Sequence, residues 1–321
     1  MELKSSASAP ARLWNSVACW FDSAAAERRA TIGHKHHIDW PRLLPFVGLH
    51  LGCFAVVWVG TSMTAVVVAV ALYALRMFAI TGFYHRYFSH NAFQTSRAAQ
   101  FIFALLGASG VQRGPLWWAS QHRHHHAHAD TPLDSHSSLQ HGFLWSHVGW
   151  FMARENFPTR TERVLKLTRF PELRFLDRYD ALVPALLFFA LYFLGAVLES
   201  LAPGLGTSGP QLVVWGFCFS TVALYHATFT INSLAHRLGR RRYATRDASR
   251  NSLWLALLTF GEGWHNNHHH YPGAARQGFY WWEIDLTYYV LRLLAVLGII
   301  WELKEVPFPV RDARRLIRGH A

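Results

Sequence analysis

Histidine is the residue type that sets this sequence apart. The chain has 321 residues and contains 21 histidines, many of them in short groups. One group has the spacing His-x4-His and two have the spacing His-x2-His-His. Their members are His85 and His90; His122, His125 and His126; and His265, His268 and His269. Imidazole is a good ligand for Zn, Cu, Fe and Ni, so these groups predict a metal site.

The spacing also predicts geometry. Residues at i, i+3 and i+4 of an α-helix share one face, so each triplet can direct three imidazoles to one place. Asn232 and His236 lie four residues apart and share a face in the same way. His85 and His90 lie five apart, about 140° around an ideal helix, which predicts that they flank two metal ions rather than chelate one. One ion needs three or four ligands, and this larger set therefore indicates two ions.

Other chemistries find little support. The three cysteines, Cys19, Cys53 and Cys218, are far apart and form no CxxC motif, which argues against a disulfide framework, a cysteine zinc site or an iron–sulfur cluster. No GxSxG motif and no glycine-rich dinucleotide fingerprint occurs, so electrons for a redox reaction would come from another protein. We expect His124 and His128, which are off the triplet spacing, to have a supporting or surface role.

Four long apolar runs must position these histidines. They cover residues 43–60, 64–82, 181–198 and 212–231, and Arg76 is their only Lys, Arg, Asp or Glu. Each is near the roughly 20 residues that cross a bilayer as a helix. Buried core helices of a soluble protein are the alternative, but four such runs seldom coexist in one soluble domain. We predict an all-α integral membrane protein with two helical hairpins, in which His50 and His226 are hydrogen-bonded core groups.

The charge distribution predicts the orientation. The chain carries 31 Lys and Arg against 19 Asp and Glu, and 30 of the basic residues fall on one side of the four runs. The positive-inside rule places that side, with both termini and all the histidine groups, in the cytoplasm. Anionic lipid accounts for the basic charge, so no nucleic-acid partner is expected. A fifth apolar run, residues 286–301, should lie on the membrane or pack in the cytosolic part, because crossing would place the basic tail outside.

The domain organisation follows from the same pattern. Residues 1–40 form a polar cytosolic segment in which we expect no cleavable signal peptide, since no apolar stretch follows the basic start. Residues 41–321 form a single membrane domain with the histidines in a cytosolic helical cap. We expect a multi-pass protein of the bacterial cytoplasmic membrane.

Taken together, the three histidine groups resemble the boxes of the membrane fatty acyl desaturase family, specifically its Δ9 acyl-CoA or acyl-lipid branch, to which stearoyl-CoA desaturases belong. The matching segments are residues 85–90 (HRYFSH), 122–126 (HRHHH) and 261–269 (GEGWHNNHH). Residues 232–236 (NSLAH) resemble the additional ligand motif of the family, and residues 146–150 (SHVGW) resemble another signature. Any one box is a weak signal, whereas the combination is specific.

The resemblance implies four membrane helices under a cytosolic cap that holds a non-haem di-iron centre. The implied ligands are His85, His90, His122, His125, His126, His236, His265, His268 and His269, with Asn232 meeting one iron. The implied reaction uses O2 and two electrons to convert a long saturated acyl chain to a cis alkene between C9 and C10. A fused cytochrome b5 motif is absent from the sequence, so a separate ferredoxin, rubredoxin or cytochrome b5-type donor, with its reductase, would supply the electrons.

The acyl carrier stays open. In animal acyl-CoA desaturases an Arg-Asp pair before the second box helps to hold coenzyme A, and Ser120 and Gln121 stand there in this chain. Those enzymes also have a basic dipeptide after the SHVGW signature, and the corresponding pair in this chain looks like Arg154-Glu155, of which only the arginine is basic. The substrate could therefore be a long-chain acyl-CoA or an acyl lipid.

Two other functions share some of these features. A membrane di-iron hydroxylase of alkanes or fatty acids has the same topology and oxygen chemistry. A non-enzymatic metal-binding or transport protein would need ionisable groups within its spans, whereas the candidate ligands here lie outside them.

An acyl chain would need an apolar tunnel that leads to the metal ions. Five tryptophans near the boxes could line it: Trp117, Trp118, Trp145, Trp150 and Trp264. Stepping back from His85 along its helix face gives Thr81, Phe78, Ala74 and Ala71, which predicts that the far end of the tunnel lies beside the two alanines. The alternative is that these alanines permit close helix packing.

Overall fold

The computed structural model describes residues 17–18, 20–24, 37–313 and 315. Most of the predicted N-terminal segment and the end of the basic tail lie outside these ranges. In chain order the α-helices are α1 (Trp40–Cys53), α2 (Val56–Val59), α3 (Met63–Phe78), α4 (Arg97–Ala108), α5 (Pro115–His128), α6 (Ser138–His141), α7 (Trp150–Met152), α8 (Pro171–Arg178), α9 (Leu182–Leu201), α10 (Gly209–Leu212), α11 (Ser220–Leu234), α12 (Leu253–Leu258), α13 (His265–His270), α14 (Leu286–Val296) and α15 (Phe308–Asp312).

Within the described ranges the chain also forms three π-helices, three 3-10 turns and one small sheet. Three π-helices occupy Ala79–Ser89, Trp145–Gly149 and Val213–Phe219, and 3-10 turns occupy Arg154–Asn156, Thr161–Arg163 and Pro203–Leu205. Strands β1 (Gln94–Thr95) and β2 (Ile300–Trp301) pair antiparallel, with Gln94 opposite Trp301. The fold is therefore mostly helical, as the sequence predicts.

Among the residues that the structure describes, four continuous helical stretches are long and apolar enough to cross a membrane. They are Arg42–Val59, Met63–Ser89, Leu182–Leu201 and Gly209–Leu234, and each overlaps one of the four predicted runs and is a candidate span. The second is longer than predicted, because the π-helix that follows α3 begins at Ala79 and continues past Gly82 to Ser89. The fifth apolar run forms only the short helix α14, after which Gly298, with φ +71°, turns the chain towards β2.

Small and polar residues hold the spans together. A Cβ on Gly195 of α9 would lie 2.4 Å from the carbonyl oxygen of Ser208, so glycine permits the close approach of α9 to α10. The guanidinium of Arg76 is fully buried, and it donates hydrogen bonds to the hydroxyls of Thr221 (2.8 Å) and Ser220. It also bonds the Gly216 carbonyl oxygen, so this charge within the spans is solvated by protein groups.

The main aromatic core lies where the second span meets the helices that follow it. Phe83 of the π-helix stacks on Phe103 of α4 with ring centroids 3.8 Å apart. Tyr87, Phe88, Leu173 and Ala275 belong to the same buried cluster. This core fixes the π-helix that carries His85 against α4, α8 and the segment after α13.

Candidate metal centre

The π-helix at the end of the second span brings His85 and His90 together. The amide of His90 donates to the carbonyl oxygen of His85 (3.2 Å), the i to i+5 bond that defines a π-turn. The two rings consequently lie 4.9 Å apart, and both belong to one group of imidazoles. The prediction that they flank two ions is therefore wrong, because it assumed the narrower turn of an α-helix.

All nine predicted histidines gather into two adjacent groups. Within each group the candidate ligand atoms lie within 4.8 Å of one another. The first cluster comprises His85, His90, His122, His126 and His268, and the second cluster comprises His125, His236, His265 and His269. The clusters adjoin closely, since the rings of His126 and His269 stack with centroids 4.5 Å apart.

Each histidine triplet is divided between the clusters. In α5 the i and i+4 residues, His122 and His126, belong to the first cluster, and the i+3 residue His125 belongs to the second. In α13 the arrangement is reversed, since His268 alone belongs to the first. The prediction that each triplet converges on one place is therefore wrong. Successive residues point 100° apart on a helix, which lets neighbouring side chains serve two nearby positions.

Four carboxylates orient one histidine each. The Nδ1–H groups donate to carboxylate oxygens in the pairs His85–Glu262 (2.5 Å), His125–Asp134 (2.9 Å), His236–Asp130 (2.7 Å) and His269–Asp247 (2.8 Å). A protonated Nδ1 leaves the lone pair on Nε2, which turns towards the cluster. Sequence reasoning missed these acids. Glu262 stands within the third box, but the other three are loop residues whose partners only the fold reveals.

Ring nitrogens of different histidines meet inside the clusters. Nε2 of His85 lies 3.1 Å from Nε2 of His268, and Nε2 of His236 lies 3.1 Å from Nε2 of His265. Nε2 of His269 is buried and has no hydrogen-bond partner. Buried imidazole nitrogens that converge within 4.8 Å of one another, one of them without any partner, are a donor set that fits metal ions.

The electrostatics also favour cation binding. Burial, followed by repulsion among the imidazoles, lowers the pKa of five histidines well below the usual value: His90, His122, His126, His265 and His268. These rings are neutral at pH 7 and keep lone pairs for a metal. The four carboxylates add negative charge around the rings, which compensates part of the charge of two bound cations.

The remaining sequence candidates occupy supporting places. Asn232 lines a cavity of about 70 Å³ together with His236 and His265, and its role as a ligand stays a prediction. His124 and His128 lie outside both clusters, and each makes its own hydrogen bond, to the Leu133 carbonyl oxygen and to Arg163 respectively.

His136 was missed by the sequence reasoning. It is buried, and its ring stacks on that of His125 with centroids 4.4 Å apart. Burial lowers its pKa to about 3, so this imidazole is neutral. Its isolated position in the sequence gives no spacing signal that could have identified it.

A larger cavity of about 620 Å³ adjoins the small one. Both are lined by the same five residues at their junction: Trp118, His122, His136, Thr228 and Asn232. From this junction the large cavity extends between the membrane spans, where Phe46, Phe188 and Phe217 line it. Its volume lies within the 300–1,000 Å³ that is typical of ligand pockets.

The tunnel predictions are confirmed only in part. Trp117, Trp118 and Trp150 line the large cavity, whereas the indole N–H groups of Trp145 and Trp264 donate to carbonyl oxygens elsewhere. The predicted face of α3 is wrong, because neither Ala71 nor Ala74 lines the cavity and Ala71 is exposed on the outside. Helix α3 packs against α11, and the cavity lies on the side of α11 that faces α1 and α9.

Comparison with known proteins decides the family. A family model described as fatty acid desaturase matches residues 61–296. The chain belongs to the fatty acid desaturase family. This desaturase is 38% identical over 273 residues to the sn-1 stearoyl-lipid 9-desaturase of Anabaena variabilis, covering 84% of this chain and 95% of that one.

Other relatives of this desaturase act on different acyl carriers. It is 39% identical to the sn-2 palmitoyl-lipid 9-desaturase of Nostoc sp. (strain 36), over 70% of this chain and 75% of the relative. It is 36% identical to an acyl-CoA 5-desaturase of Anemone leveillei, over 83% and 79%. The desaturase is thus an oxidoreductase of lipid metabolism and a membrane protein with histidine clusters that can hold metal.

Proposed function

We propose that this desaturase introduces a Δ9 cis double bond into a saturated acyl chain that is esterified to a membrane lipid. The observation that carries the proposal is the position of the two histidine clusters, which adjoin the inner end of a long apolar cavity between the spans. Such a cavity admits an unbranched hydrocarbon chain and brings one pair of its methylenes to the junction residues. The stearoyl-lipid and palmitoyl-lipid 9-desaturases among the relatives support both the carrier and the bond position.

Two iron ions are the proposed cofactor, with O2 as co-substrate. Five imidazoles of the first cluster would hold one ion, and four of the second, with Asn232, would hold the other. Bound iron supplies the activation of O2 that breaking an unactivated C–H bond requires. In balance, the chain gives up two hydrogen atoms, and O2 takes these with two electrons and two protons to form two waters. An external donor of the ferredoxin, rubredoxin or cytochrome b5 type would deliver the electrons.

The residues of the chain position the substrate. Gln112 bridges the junction, because its amide N–H donates to the Thr228 hydroxyl (2.9 Å) while its carbonyl oxygen accepts from the indole N–H of Trp118 (3.3 Å). This bridge fixes two of the side chains that the large and small cavities share. A rigid constriction at that point would hold one methylene pair in place and exclude water, which favours a single bond position.

The carrier assignment also has structural support. The amide of Gln121 donates to the carbonyl oxygen of Asn156 (3.1 Å), and the Ser120 hydroxyl accepts from the backbone N–H of Arg160 (3.2 Å). Both side chains are buried and engaged within the fold. The two positions that help to hold coenzyme A in animal acyl-CoA desaturases therefore offer no free group to a soluble carrier.

Expression in a desaturase-deficient host, followed by lipid analysis, tests the proposal. Wild type should produce Δ9 alkenes in membrane lipids and bind about two irons per chain, the number that the two clusters imply. His125→Ala, His236→Ala and His268→Ala should abolish desaturation without impairing membrane insertion, whereas His128→Ala serves as the control. Alcohol products would instead identify a hydroxylase, and metal flux without O2 consumption would identify a transporter.

A further inference from the structure

We propose that the lipid acyl chain enters the large cavity sideways from the bilayer, through the gap between α1 and α9. The inference rests on the proposed function, since it assumes that this cavity holds the acyl chain of the substrate. It assigns an entry route and two residues that border it, Gly48 and Ala185.

The walls of the cavity lie within the membrane spans. Helix α1 contributes one face, formed by Arg42, Pro45, Phe46 and Leu49 at the spacing i, i+3, i+4 and i+7. Helix α9 contributes Pro184, Ala185 and Phe188, while Phe217 and Cys218 of the fourth span close the floor. Since these residues belong to the spans, the cavity lies at a depth where the acyl chains of the bilayer are its neighbours.

One edge of α1 is fastened to α11 by a chain of imidazoles. Nε2 of His50 lies 3.1 Å from Nε2 of His226, and Nδ1 of His226 lies 3.0 Å from Nε2 of His147. The Phe46 carbonyl oxygen accepts from Nδ1–H of His50 (2.8 Å), which sets one direction for the hydrogen bonds along this chain of three rings. His50 and His226 are therefore hydrogen-bonded groups, as expected from the sequence, but they bond each other.

The opposite edge of α1 is lined by small residues. Pro45 and Gly48 border the cavity there and are exposed, and a Cβ on Gly48 would meet no atom within 4 Å. Ala181, directly before α9, and Ala185 of α9 border the same cavity and are half-buried. This edge therefore leaves an opening at the side of the protein that faces lipid. The other edge of α1, which is hydrogen-bonded to α11 through His50 and His226, leaves no such opening.

The end of the cavity nearest the cap is covered by an N-terminal segment, residues 20–24. Trp20, Phe21 and Ser23 line the cavity. The Ser23 hydroxyl lies 3.0 Å from the Asp177 carbonyl oxygen, and Asp22 pairs with Arg178 at 2.8 Å, which attaches the segment to the end of α8. A chain that comes from the bilayer reaches the cavity without displacing this segment, whereas a chain that comes from water must displace it.

Filling the gap tests the route. Gly48→Phe and Ala185→Phe place a ring in the opening, and the matched controls Val47→Phe and Leu186→Phe place one on adjacent lipid-exposed positions outside the cavity. The iron-loaded enzyme is reconstituted in vesicles of phosphatidylglycerol with myristoyl, palmitoyl or stearoyl chains, and alkene formation is read by gas chromatography. Both gap variants should slow desaturation about tenfold or more for all three lipids with unchanged iron content, and the controls should stay within about twofold of wild type.

A reversible cross-link between α1 and α9 closes the gap only after the protein has folded, so it separates an effect on entry from an effect on folding. In a variant in which Cys19 and Cys53 are replaced by serine and the buried Cys218 is kept, Gly48→Cys with Ala185→Cys is joined after purification by a cleavable thiol cross-linker, and the same protein before cross-linking is the reference. Cross-linking should stop lipid desaturation, and cleavage should restore it. Activity that is unaffected by the cross-link would overturn the route.

Other outcomes discriminate further. A shift from stearoyl to myristoyl products in the gap variants, without overall loss, would place Gly48 at the far end of the cavity and overturn its role at the entrance. That shift is expected instead for Cys218→Phe at the floor. The proposed entry route would also be overturned if Gly48→Phe and Ala185→Phe desaturated both added stearoyl-CoA and vesicle lipid at wild-type rates. If wild type itself forms no alkene, the proposed function fails and not merely the route.

Discussion

Asp247→Asn should selectively weaken metal binding in the second cluster. One oxygen of Asp247 accepts Nδ1–H of His269 (2.8 Å) and the other accepts the backbone N–H of Ser249 (2.9 Å). Burial acts to raise the pKa of this carboxyl, but the hydrogen bonds from His269 and Ser249 outweigh it and hold the pKa well below its usual range. The carboxylate is thus ionised and accepts on both sides, which an amide cannot do.

The amide therefore has to lose one of these bonds or reverse the histidine. If its oxygen stays on the N–H of Ser249, its NH2 faces His269, whose Nδ1 must then accept. The ring proton moves to Nε2, the buried atom that points into the cluster without a partner, and a protonated Nε2 cannot bind metal. Losing such a supporting carboxylate typically costs about 10–100-fold in metal affinity, which corresponds to about 1.4–2.7 kcal/mol.

Iron retention against graded concentrations of a chelator measures this effect. Asp247→Asn should release one iron per chain at chelator concentrations about 10–100-fold lower than wild type, and retain the other. Asp312→Asn is the control, because that carboxylate is half exposed and pairs with Arg315 away from the clusters. Retention of both irons at wild-type affinity would refute the orienting role of Asp247, and joint loss of both would refute the separation into two clusters.

Three further outcomes follow from the packing, the charge map and the site. Gly195→Ala should lower the free energy of unfolding by about 1–3 kcal/mol, because the added Cβ would clash with the backbone at the start of α10. Gly204→Ala, whose Cβ would meet no atom within 4 Å, is the control, and thermal unfolding measures the stability of both variants. Gly206→Cys should react with an impermeant thiol reagent from outside intact cells and Lys304→Cys should not, because the positive-inside rule predicts that the basic face lies in the cytoplasm. Removing the metal should lower the melting temperature, because metal that binds only the folded state stabilises it by about 2.7 kcal/mol at a hundredfold excess over Kd. Reloading with Fe²⁺ should restore the melting temperature.

Much of the architecture could be predicted from the sequence, because it depends on local properties. Crossing a membrane requires only a sufficient run of apolar residues, so the four spans followed from composition and length. The nine histidines were identifiable because side chains that converge from one helix must recur at helical spacing. Family resemblance rested on the same short segments and was confirmed by the family match over residues 61–296.

Three features depended on the tertiary structure. The π-turn reversed the prediction for His85 and His90, since the i to i+5 bond that forms it has no distinct spacing signal. The division of each triplet between two clusters depends on how α5 and α13 face each other. The cavity lies beside α1 and α9 rather than along Ala71 and Ala74, because the packing of α3 against α11 decides which helix faces remain free.

The carboxylates show the same limit most clearly. Asp130 and His236 are 106 residues apart, yet Nδ1 and the carboxylate oxygen lie 2.7 Å from each other. The sequence determined which side chains can bind metal, because that capacity belongs to the imidazole itself. Only the tertiary structure decided which nitrogen of the four carboxylate-paired rings turns towards the centre, because the tautomer of each is set by the partner on its other nitrogen, and the fold brings that partner to the ring.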